Sequence, residues 1–160
     1  MAKDYSTTIH TFLCKATKDS SSGSYSFEKL TPIVDFPDMG GTPDTVDITD
    51  LDDDVTKNLN GVQSINTLEF LANYDKNVYE SLLSISEGKE VSTYALLFGK
   101  SGKRGVWVWD GELAVWVVGG GVNAARQMRV SISTASKVEY LNATKLEGAT
   151  FGEDITETVA

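Results

Sequence analysis

Residues 104–118 (RGVWVWDGELAVWVV) place two apolar runs on either side of the pair Asp110-Gly111. An Asp-Gly pair between alternating apolar residues predicts a two-residue β-hairpin loop, because a type I′ turn requires positive φ at both central positions. Strand alternation in that hairpin puts one set of side chains, Val106, Val108, Leu113, Val115 and Val117, on one face, and Trp107, Trp109, Trp116 and Val118 on the other. Neither face is polar, whereas a hairpin at the surface of a monomer has one solvated face. We therefore expect one face to lie in the core and the other to meet a second layer, a ligand or another copy of the chain.

The composition is that of a globular protein with an acidic balance. The 160 residues are 41% hydrophobic and 23% charged, which predicts a single domain (residues 1–160) with its own core. A formal net charge of −9 disfavours sequence-independent binding to nucleic-acid phosphates. Cys14 is the only cysteine, which excludes an internal disulfide. The chain shows no apolar signal segment and no run of the ~18 apolar residues that a membrane span needs, so we expect a soluble protein without a secretion signal.

The first thirty residues predict an N-terminal hairpin. Residues 9–17 alternate, with His10, Phe12, Cys14 and Ala16 on one side. A buried strand face explains this pattern better than metal ligation, since no second pair of ligands accompanies His10 and Cys14. Residues 19–24 (DSSSGS) have turn composition, and residues 25–30 read as the second strand.

Residues 31–61 form a connector that contains all three prolines and has eight aspartates between Asp35 and Asp54. Asp50, Asp52 and Asp54 match the opening of a calcium-binding EF-hand loop, but Val55 and Gly61 occupy positions that require Gly and Glu. We therefore interpret 34–61 as a long acidic loop, mobile in the isolated subunit. Its spaced apolar residues, Phe36, Met39, Val46, Ile48 and Leu51, indicate that it docks on something.

The next segment predicts a strand, a helix and a second strand in turn. Residues 68–74 alternate as a strand, and Asp75 is a plausible N-cap for a helix over 75–86. Gly88 is well placed to end that helix at its C′ position. Residues 91–98 read as another strand, followed by a turn over 99–105.

The C-terminal part reads as two strands and an arm. Residues 119–124 match a loose dinucleotide fingerprint, but residues 122–132 alternate as a strand where the fingerprint requires a helix, so we favour a turn or bulge. A last short strand is predicted at 137–141. Residues 143–160 are polar, acidic and Thr-rich, and predict a mobile C-terminal arm.

Several motifs, in order along the chain, resemble a known family. They are Pro37-Asp38-Met39-Gly40-Gly41, Asp47-Ile48-Thr49, Gly61, Leu68-Glu69-Phe70, Asn73-Tyr74-Asp75, Gly88-Lys89-Glu90-Val91 and Gly119-Gly120-Gly121-Val122-Asn123. Over residues 34–132 the chain resembles the major tail proteins, the tail-tube subunits of long, non-contractile-tailed bacteriophages.

The resemblance implies a structural role. In that family six subunits close into a ring, inner sheets join into a barrel, and rings stack into the tube through which DNA is ejected. The implied partners are copies of the chain itself and other tail proteins (tape measure, tail terminator and distal tail), with DNA passing through unbound and no membrane or cofactor. The implied location is the virion tail, assembled in the bacterial host cytoplasm. Such a subunit requires two distinct head-to-tail interfaces, one closed and one repeating.

We predict a mainly β fold: an antiparallel sandwich or half-barrel of about eight strands with one short α-helix. Three surfaces are expected to carry assembly. The ring-stacking loop interface comprises Phe36, Pro37, Met39, Ile48 and Leu51; the lateral interface comprises Trp107, Trp109 and Trp116; and the lumen is lined by Glu69, Asn73, Gln127 and Ser131. One histidine, one cysteine and no nucleophile–base pair argue against an enzyme. Two alternatives stay open: a carbohydrate-binding β-sandwich that uses exposed tryptophans, and a tube protein of contractile tails or secretion machines.

Overall fold

The computed structural model describes residues 10–39, 43–52, 54–63, 67–122, 124–153 and 155. Within these ranges the chain forms ten β-strands, one α-helix and a short 3-10 turn at Lys100–Gly102. The strands are β1 (Thr11–Lys18), β2 (Tyr25–Pro32), β3 (Pro43–Asp47), β4 (Asn58–Gln63), β5 (Leu68–Asn73), β6 (Val91–Phe98), β7 (Gly105–Val118), β8 (Gln127–Thr134), β9 (Glu139–Leu141) and β10 (Thr150–Phe151), and the helix is α1 (Lys76–Gly88). The mainly β fold with one short α-helix is confirmed.

Eight strands form one sheet, in the order β10-β2-β1-β6-β7-β8-β5, with β9 paired to β7. All pairings are antiparallel except that of β10 with β2. The sheet curls so that the chain just after β2 reaches β5, where Asp35 forms an isolated antiparallel bridge with Leu71. The Leu71 N–H donates to the Asp35 carbonyl at 3.1 Å, and the Val34 N–H donates to the Leu71 carbonyl at 2.6 Å. The main sheet is therefore open in its strand order, and its two sides approach each other at this bridge, as in the predicted half-barrel.

The predicted hairpin at Asp110-Gly111 is wrong, because β7 is one continuous strand of 14 residues. Its first part pairs with β6, from Gly105 to Glu112, and its second part pairs with β8, from Gly111 to Val118. Gly111 is required by space rather than by a turn, since a Cβ there would lie 2.5 Å from Ile132 Cγ2 and 2.7 Å from the Ser133 carbonyl oxygen. The Asp110 carboxylate accepts a 2.6 Å hydrogen bond from the Thr93 hydroxyl on the neighbouring strand β6.

The continuous strand changes which side chains share a face. Val106 and Val108 now lie on the opposite side of the sheet from Leu113 and Val115, and the two sides bury different cores. The first core, between the concave sheet and α1, contains Leu13, Leu68, Phe70, Ala72, Leu82, Tyr94, Leu96, Trp109, Leu113, Val115, Met128, Val130 and Ile132. The second core contains Phe12, Cys14, Ala16, Phe27, Ala95, Leu97, Val106, Val108, Leu141 and Ile155. Along the first half of β7, both apolar faces of the strand are therefore buried within the subunit, each in a different core.

Helix α1 is capped as predicted at its start but not at its end. The Asp75 carboxylate accepts hydrogen bonds from the main-chain N–H groups of Asn77 (2.9 Å) and Val78 (3.4 Å), which otherwise lack intrahelical partners. At the C-terminus the left-handed residue is Lys89, with φ 51°, whereas Gly88 remains helical. The buried Leu82 and the partly buried Val78, Tyr79, Leu83 and Ile85 pack α1 against the first core.

The C-terminal segment docks on the sheet, which corrects the prediction of a mobile arm over its described part. Residues 143–148 form turns, and β10 adds a parallel strand to β2. The side chain of Ile155 is 0% exposed within the second core. Its carbonyl oxygen accepts a 2.7 Å hydrogen bond from the Ser101 N–H, while Gly152 donates to the Phe27 carbonyl. The predicted arm residues 154 and 156–160 lie outside the described residues.

The other strand predictions agree with the structure, with small shifts in their limits. β1, β2, β6 and β9 lie where the pattern put them, and Phe12, Cys14 and Ala16 face the second core as expected. His10 precedes β1 and is exposed, so it is not part of that buried face. β8 begins at Gln127, later than the alternation suggested, since residues 119–126 are irregular where they are described. No helix in the described ranges is long and apolar enough to cross a membrane.

Candidate assembly surfaces

The connector is not a loop throughout, because β3 and β4 form a separate two-stranded antiparallel sheet. In its register Val46 faces Leu59, and Asp47 faces Asn58. Since side chains alternate along each strand, Val46, Ile48 and Leu59 share one face of this hairpin. These three side chains are 51%, 44% and 57% exposed, respectively. The β3–β4 hairpin therefore presents an apolar face that the rest of the described chain does not cover.

The tip of the β3–β4 hairpin is acidic and is organised by Thr49. The Thr49 hydroxyl accepts a 2.8 Å hydrogen bond from the Lys57 N–H, while the Thr49 N–H donates to the Asp47 carboxylate at 2.9 Å. The hydrogen bonds from the Thr49 side chain and main chain lower the pKa of Asp47. Leu51, at 105% exposure, and Val55, at 72%, project from this tip. The described part of the chain contains no group of three or more His, Cys, Asp or Glu side chains arranged to hold a metal.

The first residues of the connector, 34–39, which we call its root, pack against the subunit core. Phe36 and Met39 pack partly buried against the first core, and the Phe36 ring lies 5.4 Å from the Phe98 ring. The residues predicted as one ring-stacking interface are therefore separated by the structure. Phe36, Pro37 and Met39 are half-buried at the root, whereas Ile48 and Leu51 are exposed on the hairpin.

The three tryptophans predicted at the lateral interface lie in three different environments. Trp109 is 1% exposed and stacks on Phe70 at 6.0 Å, so it is a core residue, which corrects its assignment to a subunit interface. Trp107 is half-buried between Phe98 (4.6 Å) and Tyr140 (5.2 Å) in an aromatic row. Trp116, 40% exposed, is the tryptophan with the most free surface.

Trp116 lies on a solvated face made by β5, β8 and the second half of β7. The register aligns Trp116 with Arg129, and Arg129 with Leu71, across the three strands. The predicted lumen residues belong to the same face, because Glu69 pairs with Ser131 and Asn73 pairs with Gln127. An ion pair of 3.3 Å joins Glu69 Oε2 to Arg129 Nη1. We call this surface the polar face.

The four predicted lumen residues are not equally accessible. Glu69 and Asn73 are exposed and Gln127 is half-buried, but Ser131 is only 7% exposed between its neighbours. Arg129 was missed by the sequence analysis although the alternation of β8 places it on the same face. The signal was available, since Arg129 stands midway between Gln127 and Ser131 in the strand period.

The second half of β7 is also a strand edge. β6 pairs with β7 only as far as Glu112, and beyond that point no described strand lies on the β6 side of β7. Trp116 and Val117 (49% exposed) stand on this edge. An uncovered strand edge is a template for pairing with another chain.

Comparison with known proteins finds similarity only at the level of structure. No family model matches the chain, and no curated protein matches it. A chain in the tail of an empty GTA particle, a structure with C6 symmetry, superposes with a TM-score of 0.63 at 13% identity, covering 86% of this chain and 100% of that chain. The chain has a tail-tube-like fold. The sequences have diverged so far that the likeness concerns the fold alone.

Two further similar chains with this tail-tube-like fold come from an extracellular contractile injection system, PVC, in its extended state. One, from the sheath/tube terminator structure, gives a TM-score of 0.55 at 10% identity and covers 88% of this chain and 100% of that chain. The other, from the sheath-tube complex, gives 0.55 at 9% identity and covers 88% and 94%. The structural similarity thus spans nearly the whole length of each compared chain. It extends beyond residues 34–132, the part of the chain to which the sequence resemblance is limited.

Proposed function

We propose that this protein is a structural subunit of a phage-type tail tube, built from stacked hexameric rings, in the virion tail. The observation that carries the proposal is the structural match to a tail chain in a particle solved with C6 symmetry, which covers 86% of this chain and 100% of that chain. The role is structural rather than catalytic and involves no cofactor. Its partners are copies of itself and the other tail proteins that start, measure and terminate a tube, assembled in the bacterial cytoplasm.

The lateral contact of the ring would use the free edge of β7. Trp116 stands on that edge with 40% of its surface exposed. The half-buried Trp107 lies earlier in the same strand, where β6 and β9 flank it on both sides. A neighbouring strand added to residues 113–118 would satisfy the unpaired main-chain groups and extend the sheet around the ring. Closing the ring this way would cover the free edge of β7 in every subunit.

The polar face would line the lumen. Glu69 and Asn73 are exposed there, Gln127 is half-buried, and Ser131 contributes a small, nearly covered polar position. The Glu69–Arg129 ion pair makes part of this surface locally neutral. With a net charge of −9 on each subunit, DNA would pass without a sequence-independent grip on its phosphates.

Electron microscopy of the purified protein tests this function. We expect negatively stained samples, examined over a range of concentrations, to show rings with six-fold symmetry and tubes formed from them. A protein that stays monomeric at every concentration, with or without a tail extract to nucleate assembly, contradicts the proposal.

Whether the tube is sheathed is a separate question. The sequence motifs favour a non-contractile tail, whereas two of the compared chains belong to a contractile injection system. We propose the non-contractile assignment and retain the contractile tube as the second candidate. Co-purification of tails from infected cells separates the two, because a contractile tail contains a sheath protein in equal number to the tube subunit.

A further inference from the structure

We propose that Glu69 is a positioning residue that holds the Arg129 guanidinium against the polar face and so keeps it from the phosphates of passing DNA. This role rests on the proposed function, in which the polar face lines a tube that conducts DNA. It goes beyond that function by assigning a task to one carboxylate, which the overall negative charge of the subunit does not perform.

Arg129 is the only lysine or arginine within β5, β8 and the second half of β7. The strand registers place two acidic side chains on the same face, since Glu69 pairs with Ser131 and Glu112 pairs with Ser133. A guanidinium group binds phosphates through charge-assisted and often bidentate hydrogen bonds. An unpaired Arg129 would therefore be the group on this face with the strongest attraction for DNA.

The guanidinium of Arg129 is held by its neighbours on the adjacent strands. Trp116 on β7 and Leu71 on β5 are its cross-strand partners, so apolar side chains stand on both sides of it. Glu69 lies diagonally from Arg129 across the β5–β8 pair, and its Oε2 atom is 3.3 Å from Arg129 Nη1. The Glu69 side chain is 49% exposed and that of Arg129 is 34% exposed. An approaching phosphate thus meets the more exposed carboxylate beside the guanidinium.

The net charge of the subunit does not replace this local pairing. At physiological ionic strength, salt screens exposed charges beyond a Debye length of about 8 Å, so distant acidic groups act weakly at Arg129. Glu112 aligns with Ser133, four residues along β8 from Arg129, which corresponds to about 13 Å of strand. Of the two carboxylates on the polar face, Glu69 is therefore the one that neutralises Arg129.

The symmetry of the proposed ring multiplies the effect of one uncovered arginine. With six subunits in a ring, loss of the Glu69 carboxylate would present six guanidinium groups around the lumen. About six simultaneous phosphate contacts make DNA affinity fall roughly a thousandfold between about 50 and 200 mM salt. A contact that is weak in one subunit would therefore become a salt-sensitive grip on DNA in a ring.

Chemical modification of arginine tests the pairing in the unassembled subunit. Phenylglyoxal should modify Arg129 about two- to fivefold faster in Glu69→Gln than in wild type, the range expected when an exposed ion pair is lost. The exposed Arg126 is the internal reference, and its rate should stay the same. Glu112→Gln removes an equal charge from the same face and should leave the Arg129 rate unchanged. Equal Arg129 rates in Glu69→Gln and wild type overturn the proposal.

Retention of DNA by assembled tubes tests the consequence of that pairing. Tubes are incubated with a short fluorescent DNA duplex and pelleted, and bound DNA is measured over a range of salt concentrations. We expect Glu69→Gln tubes to retain about tenfold more DNA at low salt than wild-type or Glu112→Gln tubes, and to release it as salt rises. The double variant Glu69→Gln/Arg129→Gln should lose this retention.

The outcomes of the tube experiment separate this role from the proposed function. The role of Glu69 is overturned if Glu69→Gln tubes retain no more DNA than wild-type tubes. It is also overturned if Glu112→Gln or the double variant retains as much DNA as Glu69→Gln. Both results leave the proposed function intact, whereas wild-type protein that forms neither rings nor tubes contradicts the proposed function itself.

Discussion

Tyr94 brings a hydroxyl into the first core, where it has no hydrogen-bond partner among the described residues. The residue is 0% exposed, and burial raises the pKa of the hydroxyl above its usual 10.0. The indole N–H of its cross-strand neighbour Trp109 is also buried without a hydrogen-bond partner among the described residues. Both residues are retained in the core despite a polar atom that would be better solvated outside.

Tyr94→Phe should therefore leave the protein as stable as wild type or more stable, by on the order of 1 kcal/mol near neutral pH. The difference should widen above pH 10, because the tyrosine of the unfolded chain ionises there while the folded one stays neutral, and wild type loses that stability as pH rises. Urea unfolding at pH 7 and at several pH values above 10 measures this difference. A gap that narrows with rising pH contradicts the assignment of the raised pKa.

Gly111 is a second residue whose role is set by its immediate neighbours. Gly111→Ala should destabilise the fold by about 1–3 kcal/mol, because the added methyl meets Ile132 and the Ser133 carbonyl at 2.5 and 2.7 Å. Gly88→Ala is the matched control, since a Cβ at that helical glycine meets nothing within 4 Å. The control should be neutral or stabilising by about 0.5–1 kcal/mol. Equal denaturation midpoints for the two variants would show that β7 and β8 separate more easily than their register indicates.

At the scale of elements, the free edge of β7 is the surface whose role is most directly tested. Trp116→Ala should give a folded monomer, because 40% of that side chain is exposed and it lies outside both cores. Ring formation should fall at least tenfold in sedimentation experiments at matched concentration. Val55→Ala, which changes an exposed residue outside the main sheet, is the control and should form rings normally. Rings at wild-type yield from Trp116→Ala would place the lateral contact elsewhere.

The elements were predictable where a local pattern determines them. Alternation identified β1, β5, β6 and β8, and the carboxylate of Asp75 identified the start of α1. The pair Asp110-Gly111 led to a wrong hairpin prediction, because Asp-Gly is also the typical sequence of a type I′ turn. In the structure the glycine is required instead by the close approach of the neighbouring strand β8. Nothing local distinguishes the two cases, since the decisive atoms belong to Ile132 and Ser133, on another strand.

Candidate surfaces were harder to predict than strands. The structure pairs Glu69 with Ser131 and Asn73 with Gln127 on one side of the sheet, whereas the polar alternation alone did not specify these pairings. Which apolar residues stay uncovered was not predictable, because Trp109 and Trp116 have the same side chain and differ only in what the rest of the chain packs on them. The hairpin within the acidic connector was missed, since six aspartates in 43–63 obscured the strand pattern.

At the scale of the whole molecule, the C-terminal segment is part of the fold rather than an addition to it. Ile155→Ala should cost about 2–5 kcal/mol, because the side chain is fully buried in the second core. Leu51→Ala removes a fully exposed side chain and should leave the stability of the monomer unchanged. Denaturant midpoints measured at concentrations where the protein is monomeric give both values. A loss below 0.5 kcal/mol for Ile155→Ala would restore the picture of a dispensable arm.

The parallel pairing of β10 with β2 also bears on when the subunit takes its final shape during translation. The Ser26 hydroxyl accepts a hydrogen bond from the hydroxyl of Thr150, which lies 124 positions later in the chain. At about 5–20 residues per second, the ribosome needs roughly 6–25 seconds to make that interval. Until then Phe27 has neither Phe151 nor Ile155 beside it, and the second core remains open to solvent or chaperones. Packing of the second core is therefore completed only after Ile155 has been synthesised.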